Sequence, residues 1–353
     1  MKVLVTGAAG RVGANVIQRL VASGAGVRAL VMPGDPLAGK LDAFADVDVV
    51  HGDLTDPAAL RAACGGVTHV IHLAAQMVRG ETEVGHYYDV NAVSTLRLLE
   101  AARELGAGLE RFVLASTDAT FRPGDAPPVP LTEDAPQRPV NHYGTSKLLG
   151  EVILRHRGAE LGIPWTIVRF ATVLSPDQAD RLFRLKFQRG WAATQRAQGK
   201  ESTVWPLLHG DDDVVALIDA AAGDVTPDAA VALVGPDGSW RLSAVDVRDA
   251  AQGVLRALSE PGAVGRSFNL AAAEPIAHTD AAVLIAARFG VPRLAIEVPM
   301  TWRLEIAIDA AREHLGYDPR YAYADTLDAR QDDADFVPAD EGADSVFAKM
   351  SGR

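Results

Sequence analysis

The sequence contains a single cysteine, Cys64, among 353 residues, and only 6% of its residues are aromatic. One thiol cannot form an intrachain disulfide, which favours a reducing compartment. No stretch approaches the ~20 apolar residues that a membrane-spanning helix requires. The N-terminal segment also lacks the long hydrophobic region of a secretory signal. We therefore expect a cytoplasmic protein without a membrane segment.

An excess of positive charge is missing as well. The chain has 34 basic and 46 acidic residues, which gives a formal net charge of −12. A negative field disfavours a nucleic-acid backbone or an anionic membrane as the main partner. Apolar residues make up 48% of the chain and charged residues 23%, which is ordinary for a globular protein. The expected partner is therefore a small molecule.

Short apolar strands alternate with helical patterns in the first half of the chain. The predicted strands cover 2–6, 27–32, 47–50, 68–73, 112–115 and 165–168, and the predicted helices cover 14–23, 88–105 and 143–161. This alternation implies parallel strands joined by right-handed crossovers. The expected fold class is α/β, with a doubly wound parallel Rossmann sheet that binds ligands beyond the carboxyl ends of its strands.

A glycine-rich turn lies between the first predicted strand and the first predicted helix. It reads Thr6-Gly-Ala-Ala-Gly-Arg-Val-Gly13. Glycines permit the tight turn, and without side chains the backbone N–H groups can reach a pyrophosphate at the helix N-terminus. The sequence therefore predicts a bound NAD or NADP, with contacts from Gly7, Ala9, Gly10, Arg11, Val12 and Gly13.

The sequence does not separate NAD from NADP. The second strand ends Leu30-Val-Met32, with neither the acid that binds ribose hydroxyls nor an arginine. Arg11 can meet a 2′-phosphate, or it can be a solvated helix residue. Asp53, after the third strand, can accept a hydrogen bond from the adenine amino group. Its alternative role is helix capping, for which Asp56 is better placed.

Tyr143 and Lys147 form the candidate catalytic pair. Their i, i+4 spacing places the phenol and the ammonium on one helical face. A tyrosine titrates near pH 10, and a neighbouring cation lowers that pKa. Such a phenol can exchange a proton with a carbinol oxygen while hydride moves to or from nicotinamide. Thr117, after Ser116 at the tip of the fifth strand, can place a hydroxyl on the same oxygen.

These motifs together resemble the extended short-chain dehydrogenase/reductase family, which includes nucleotide-sugar epimerases and dehydratases. The resemblance is carried by the glycine turn, Asp53-Leu54, His72-Leu-Ala-Ala75, Asn91-Ala-Val-Ser-Thr95, Ser116-Thr117 and Tyr143-Gly-Thr-Ser-Lys147. It implies that Thr117 and Tyr143 hold the substrate oxygen and that Lys147 also holds the nicotinamide ribose. It places the cofactor along Leu54, Leu73, Ala74 and Ala75, with Asn91 in support. It further implies a homodimer formed through the helices near 88–105 and 143–160.

The chain departs from the family pattern in the substrate region. The 4,6-dehydratases carry Thr-Asp-Glu after the fifth strand, whereas this chain reads Thr117-Asp118-Ala119, so the elimination lacks its base. Epimerases place an asparagine where Thr172 stands, and Arg241 is one residue away from the usual phosphate-binding arginine. Asp118 can serve as an acid or as a turn residue. The candidate substrate contacts are Ser116, Asp118, Arg169, Thr172 and Arg241.

The remainder of the chain yields a domain prediction. We expect a Rossmann domain over 1–175 that also receives segments near 231–258, and a smaller α+β substrate-binding lobe over 176–329. We expect a mobile acidic tail over 330–353. The basic, tryptophan-containing segment 181–205 fits either a substrate lid or an amphipathic surface helix. His209 beside 211–213 is better explained as an acidic helix start than as a metal site, so no metal is predicted.

The expected function is an NAD(P)-dependent oxidoreductase that transfers hydride reversibly at a sugar or sugar-like secondary alcohol, as an epimerase or as a dehydrogenase. An alternative is an NADPH-dependent carbonyl reductase acting on a non-sugar substrate. A more remote alternative is a non-enzymatic dinucleotide-binding regulator. Such a regulator can dispense with Tyr143 and Lys147, whereas this chain retains both.

Overall fold

A seven-stranded parallel sheet forms the centre of the molecule. The computed structural model describes residues 1–77, 82–104, 108–121, 129–199, 202, 204, 214–329 and 335–339. The strands of the main sheet are β1 (Lys2–Thr6), β2 (Gly26–Val31), β3 (Asp48–His51), β4 (His69–His72), β5 (Arg111–Thr117), β6 (Trp165–Phe170) and β12 (Arg266–Leu270). Their order is β12-β6-β5-β4-β1-β2-β3. From β1 the chain adds β2 and β3 on one side of the sheet, and it then adds β4, β5, β6 and β12 on the other side. This change of side between β1 and β4 confirms the predicted doubly wound α/β fold.

Helices cover both faces of this sheet because the strands are apolar on both sides. In β1, Val3 and Val5 belong to one apolar cluster and Leu4 to the other, and all three are fully buried. One face carries α1 (Arg11–Ala22) and α8 (Val247–Ser259), which pack against each other. The opposite face carries α2 (Pro57–Cys64), α4 (Ser94–Glu104) and α5 (His142–Glu160).

The helix before β5 differs from the prediction in one respect. It begins earlier, as α3 (Val84–Tyr88), and passes through a π-helical turn at Asp89–Val93 before it continues as α4. A π-helical turn inserts an extra residue and shifts the faces of the helix, which a periodicity of 3.6 cannot reveal. This turn contains Asn91, one of the predicted site residues.

The second part of the chain builds a smaller lobe from short sheets. Its elements are β7 (Thr172–Leu174), α6 (Leu185–Ala197), α7 (Val214–Ala222), β8 (Ala230–Gly235), β9 (Gly238–Ser239), β10 (Arg241–Leu242), β11 (Ala244–Asp246), β13 (Ile276–Ala277), α9 (His278–Phe289), β14 (Arg293–Glu297), β15 (Arg303–Leu304) and α11 (Tyr323–Asp328). The helix α10 (Asp309–Leu315) instead packs against β12 and α8 of the main domain. Trp191, Trp240 and Trp302 form an aromatic cluster with ring centroids 5.6 to 6.1 Å apart. Trp191 of α6, which belongs to the segment 181–205, therefore packs inward against this lobe.

Segments from the two parts of the chain interleave. The helix α8 packs on the main sheet, whereas β8 belongs to a separate three-stranded sheet with β14 and β9. The strand β12 comes late in the sequence but pairs in parallel with β6 as an edge of the main sheet. Parallel pairing does not depend on sequence proximity, so the pattern alone does not locate this strand.

Cys64 is fully buried at the end of α2. Burial raises the pKa of its thiol to about 12, which makes it an unreactive packing residue. Within the described ranges, no helix combines the length and the apolar character that crossing a membrane requires.

A buried ion pair ties α5 to β6. Arg169 donates two hydrogen bonds to Glu151, at 3.0 and 2.8 Å, and both side chains are almost inaccessible to solvent. Burial would raise the pKa of Glu151, but the hydrogen bond and charge of Arg169 outweigh it, and the pKa is lowered. Ser116 at the end of β5 donates a third hydrogen bond to the same carboxylate, at 2.5 Å. The carboxylate therefore holds the ends of two strands against one helix.

We predict that Arg169→Met lowers the free energy of unfolding by about 3–5 kcal/mol, because it leaves the Glu151 carboxylate buried without its main counter-ion. The double variant Arg169→Met/Glu151→Met should lose less, since it removes both charges of the pair, although the buried Lys147 ammonium then lacks the Glu151 carboxylate and the recovery is partial. Urea denaturation measures both effects. The control is Arg61→Met, whose exposed pair with Glu104 spans 3.8 Å and should contribute under about 1 kcal/mol. Equal losses for Arg169→Met and Arg61→Met would contradict the prediction.

Candidate active site

The glycine turn after β1 is built around two close backbone approaches. Gly7 has φ +65°, and a Cβ there would lie 2.7 Å from the backbone nitrogen of Ala74. A Cβ on Gly13 would lie 2.1 Å from the carbonyl oxygen of Gly7. Neither position therefore accepts a side chain without moving the backbone. The turn brings the start of α1 against the segment that follows β4, which is the switch point of the sheet.

This turn fits the phosphates of a dinucleotide. Gly10 is the N-cap of α1, and its extended backbone leaves the first N–H groups of the helix pointing out of the turn. Among the described residues, no side chain caps this end and no acidic residue lies in its first turn. The N-terminus of a helix that is neither capped nor acidic attracts an anion. Ala9 and Val12, the other predicted contacts, flank Gly10 in the same turn.

Arg11 and Asp53 have internal partners. The Arg11 guanidinium donates hydrogen bonds to the carbonyl oxygen of Val173 and, at 2.6 Å, to Oε1 of Gln178. It therefore links α1 to β7 and to the segment that follows β7. The Asp53 carboxylate accepts hydrogen bonds from the backbone and hydroxyl of Thr55, both at 2.7 Å, and these bonds lower its pKa. Asp56, as predicted, caps α2 through a hydrogen bond from the Ala58 N–H.

A chain of buried polar groups supports the segment after β4. His72 bonds to Thr6 at 2.7 Å on one side and to Ser94 at 3.0 Å on the other. Thr6 in turn accepts a hydrogen bond from the backbone N–H of Ala74. Burial and the charge of Lys147 lower the pKa of His72 to about 3, so its imidazole is neutral. These bonds hold residues 73–75, including Leu73 and Ala75, beside the glycine turn.

Asn91 joins this segment to α5. Its Oδ1 accepts from the backbone N–H of Gln76 at 2.8 Å, and its Nδ2 donates to the Gln76 carbonyl and to the hydroxyl of Ser146. Gly150 permits the contact, because a Cβ there would lie 2.6 Å from the carbonyl oxygen of Asn91. Asn91 is 1% exposed, so its role is to position the backbone.

Thr117 and Tyr143 meet at the carboxyl end of β5. The helix α5 starts immediately before Tyr143, where the Asn141 side chain accepts a hydrogen bond from the Gly144 N–H. A Cβ on Gly144 would lie 2.6 Å from the carbonyl oxygen of Ala119, so only glycine lets the helix come this close to the end of β5. The phenol of Tyr143 lies close enough to the Thr117 hydroxyl for that group to lower its pKa. The structure therefore brings two of the three predicted catalytic residues together.

The pKa of Tyr143 differs from the sequence-based expectation. Burial raises this pKa well above its usual value of 10, the Thr117 hydrogen bond opposes the change, and the Asp118 carboxylate adds to it. The sequence predicts that the cation of Lys147 lowers this pKa, and that prediction is wrong. Removal of the phenol from water is the largest cause of the shift, and the Lys147 ammonium is not among the described groups that shift it.

Lys147, one turn further along α5, is 3% exposed. Burial lowers the pKa of its ammonium from 10.5 to about 8, and the Glu151 carboxylate one turn further on opposes this shift. A cation at this position comes at a cost in stability, which is typical of functional sites.

The candidate substrate residues separate into two groups. Ser116 and Arg169 direct their polar groups inward to Glu151, as described above. Asp118 accepts a hydrogen bond from Thr117 at 3.0 Å and lies beside Tyr143. Thr172 lies in β7, opposite Ala244 of β11. Arg241 in the small lobe forms an ion pair with Glu305 at 3.3 Å. Asp118 is therefore the candidate nearest to the Thr117–Tyr143 pair.

Sequence reasoning missed Glu151 and Ser146. Both follow from the helical spacing on α5, since each lies three or four residues from Tyr143 or Lys147 and faces the same side. It also treated 335–339 as part of a mobile tail. These five residues pack onto the protein, with Phe336 and Ala339 buried, so a mobile tail does not describe them. His209, 211–213 and Trp205 lie outside the described residues.

We predict that Lys147→Met stabilises the fold. Because burial lowers the pKa of Lys147 from 10.5 to about 8, the folded chain binds fewer protons than the unfolded chain between those pH values. The energetic cost is therefore fully present below pH 8 and disappears as the pH rises towards 10.5. After removal of any bound small molecule, the variant should gain about 3 kcal/mol at pH 7 in urea denaturation and less at pH 9.5.

The matched control for this measurement is Lys186→Met, which removes an exposed lysine from α6. It should change the free energy of unfolding by under about 0.5 kcal/mol at either pH. A Lys147→Met variant that is less stable than the parent at pH 7 would show that the ammonium stabilises the fold instead.

Known proteins are similar to this chain in sequence and in architecture. The chain is 38% identical over 185 residues to the UDP-glucose 4-epimerase of Azospirillum brasilense, covering 51% of each chain. It is 34% identical over 217 residues to the UDP-glucose 4-epimerase of Streptomyces lividans, covering 60% of this chain and 64% of the relative. The chain thus spans between half and two thirds of the length of these relatives.

A solved structure matches over a longer range. It is a short-chain dehydrogenase/reductase superfamily protein from Agrobacterium tumefaciens with bound NAD, with a TM-score of 0.76 and 28% identity. The match covers 93% of this chain and 95% of that one. A family model, the NAD dependent epimerase/dehydratase family, matches residues 3–271. The glycine turn, the Thr117–Tyr143 pair and the buried Lys147 all lie within this range, and the chain belongs to the NAD-dependent epimerase/dehydratase family.

Proposed function

We propose that the chain is an NAD-dependent epimerase that inverts a secondary alcohol of a sugar nucleotide by reversible hydride transfer. The observation that carries the proposal is the contact between Thr117 and Tyr143 at the carboxyl end of β5, with Lys147 one helical turn away. The family membership and the names of the two epimerase relatives support the same reaction. Sugar nucleotides with a uridine diphosphate group are the first substrates to test.

The dinucleotide occupies the glycine turn in this proposal. The backbone N–H groups of 10–13 bind the pyrophosphate, and Asp53 and Leu54 lie towards the adenosine end. Leu73, Ala74 and Ala75 line the cofactor, and Asn91 holds that segment in place. Lys147 binds the nicotinamide ribose. NAD, when bound, supplies the hydride acceptor and the positive charge of its ring.

The side chains of this site move one proton. Tyr143 accepts the proton of the substrate hydroxyl as the carbon loses hydride, and it returns the proton when hydride comes back on the other face. The Thr117 hydroxyl, which donates to the Asp118 carboxylate at 3.0 Å, would turn to donate to the substrate oxygen and hold it beside the phenol. Because burial raises the pKa of Tyr143, its deprotonation needs positive charge nearby, and in this proposal Lys147, one helical turn further along α5, supplies it. Asp118 is the proposed substrate contact closest to this centre.

The test of this function is epimerisation itself. Purified protein should interconvert UDP-glucose and UDP-galactose, or another pair of epimeric sugar nucleotides, without net change in absorbance at ~340 nm, because the hydride is returned within each turnover. Protein denatured after purification should release NAD. Stoichiometric NADH formation would instead indicate a dehydrogenase. A protein that neither holds nor binds a nicotinamide dinucleotide would contradict the proposal.

We predict that Tyr143→Phe lowers kcat by about 10²–10⁴-fold, because the reaction loses its proton acceptor. The content of bound NAD should stay unchanged, since the phenol does not bind the phosphates. Tyr88→Phe is the matched control, because Tyr88 hydrogen-bonds only to His142 among the described residues, at 3.0 Å. Activity of Tyr143→Phe within threefold of the parent would remove Tyr143 from the catalytic role.

A homodimer is part of the proposal. Leu96 on α4 and Leu149 and Val152 on α5 are 37%, 41% and 49% exposed, although these two helices pack against each other. Leu149 and Val152 lie three residues apart and so share one face of α5, and clustered exposed apolar side chains favour an interaction surface. The same pair of helices, near 88–105 and 143–160, then buries them against a second copy of the chain.

The proposed location is the cytoplasm, which agrees with the buried, unpaired thiol of Cys64.

We predict that the double variant Leu149→Asp/Val152→Asp is monomeric in light scattering coupled to gel filtration, whereas the parent is dimeric. Two carboxylates in an apolar contact would have to be desolvated without partners. Val283→Asp is the control, because Val283 is 46% exposed on α9, away from α4 and α5. A monomeric parent, or a double variant that stays dimeric, would contradict this interface.

A further inference from the structure

The segment 335–339 crosses the first turns of α1. The backbone N–H of Val337 donates to Oδ1 of Asn15 at 2.8 Å, and its carbonyl accepts from Nδ2 of the same side chain at 2.9 Å. Nδ2 also donates to the carbonyl oxygen of Arg11 at 2.8 Å. Asn15 is 1% exposed, so one buried amide joins this segment to the phosphate-binding end of the helix.

The start of the segment is anchored on the main domain. Arg248 of α8 forms an ion pair with Asp335 at 3.1 Å, and the hydroxyl of Tyr321 donates to the same carboxylate at 3.2 Å. The Arg248 guanidinium also lies 3.5 Å from the ring centroid of Tyr321 and 5.8 Å from that of Phe336. Phe336 is 3% exposed. These contacts hold the start of the segment in place, immediately before it reaches α1 at Val337.

The other end of the segment joins two separate parts of the chain. The N–H of Ala339 donates to Oδ1 of Asp177 at 3.2 Å, and its carbonyl accepts from Nζ of Lys40. Asp177 follows β7, and Lys40 lies in the turn of 3₁₀-helix at Ala38–Ala43 that follows β2. Ala339 is fully buried by these contacts.

The order of the strands shows what this link spans. In the main sheet β6, which leads into β7, and β2 lie on opposite sides of β1. Segments that leave the carboxyl ends of parallel strands lie at the same edge of the sheet. The link from Lys40 through Ala339 to Asp177 therefore runs past the end of β1, where the glycine turn and the start of α1 lie. Arg11 connects α1 to Gln178 on the same side.

We propose that residues 335–339 form a clasp that closes the dinucleotide site and retains the cofactor between turnovers. The clasp joins the segment after β2, at Lys40, to the segment after β7, at Asp177. These two segments must separate for a dinucleotide to leave, so the buried hydrogen bonds of the clasp have to break first. A retained cofactor suits an epimerase, because each turnover returns the hydride and leaves NAD as it began. A dehydrogenase has to exchange its cofactor in every turnover. This inference rests on the proposed function and selects the epimerase within it.

Cofactor exchange tests the clasp. Two shortened chains are compared with the full chain: one ends at residue 334 and lacks the clasp, and the other ends at residue 340 and keeps it. Each is loaded with radiolabelled NAD, passed through gel filtration and mixed with excess unlabelled NAD. We expect the label to leave the chain ending at 334 at least about tenfold faster than the other two chains, whose rates should agree.

A second variant separates the clasp from a general loss of folding. Val337→Pro/Ala339→Pro removes the two backbone donors that bond to Asn15 and Asp177 and leaves 1–334 unchanged. Its exchange should accelerate in the same way while the denaturation midpoint of the main domain stays within a few degrees.

The outcomes distinguish the two proposals. If the full chain holds NAD and both the chain ending at 334 and the proline variant release it at the parental rate, the clasp is wrong and the proposed function stands. If the full chain binds no NAD at all, the proposed function itself fails. If the chain ending at 340 releases NAD as fast as the one ending at 334, retention depends on residues beyond the clasp and the inference is overturned.

Discussion

The burial of one ammonium group, that of Lys147, constrains the site more than any other interaction. Taking this group out of water lowers its pKa to about 8, so the fold is less stable than it would be with an apolar side chain there. Among the described residues, the Glu151 carboxylate is the one that offsets part of this cost, and it is itself held by Arg169 and Ser116. The strands β5 and β6 and the helix α5 are therefore positioned together around this cation.

The proposed function places the phenol and the dinucleotide in one site around this cation. Tyr143 is buried, and burial raises its pKa. Positive charge beside such a phenol favours its deprotonation, and in the proposed reaction Lys147 and the nicotinamide ring would supply that charge. Catalysis then depends on keeping the dinucleotide in place, which gives the contacts of 335–339 a functional meaning beyond stability.

Glycines allow the close backbone approaches that build this site. Gly7 and Gly13 shape the phosphate-binding turn, whereas Gly144 and Gly150 allow α5 to approach the end of β5 and the π-helical turn at Asn91. At each position an added Cβ would meet a backbone atom within 3 Å. The site is thus assembled by backbone contacts, and its polar side chains are placed as a consequence.

Local pattern was enough to predict the strands of the first half of the chain, the glycine turn and the i, i+4 pair on α5, because each is a feature of a few consecutive residues. The contact between Thr117 and Tyr143 followed from the parallel sheet, which gathers strand ends at one edge. The direction of the Tyr143 pKa did not, since desolvation depends on every neighbour that covers the phenol.

The place of β12 at the edge of the sheet, the inward role of Arg169 and the packing of 335–339 against α1 were decided only by the tertiary structure. They join residues as far apart as Asn15 and Val337, and pairings over such separations leave no periodic trace in the sequence.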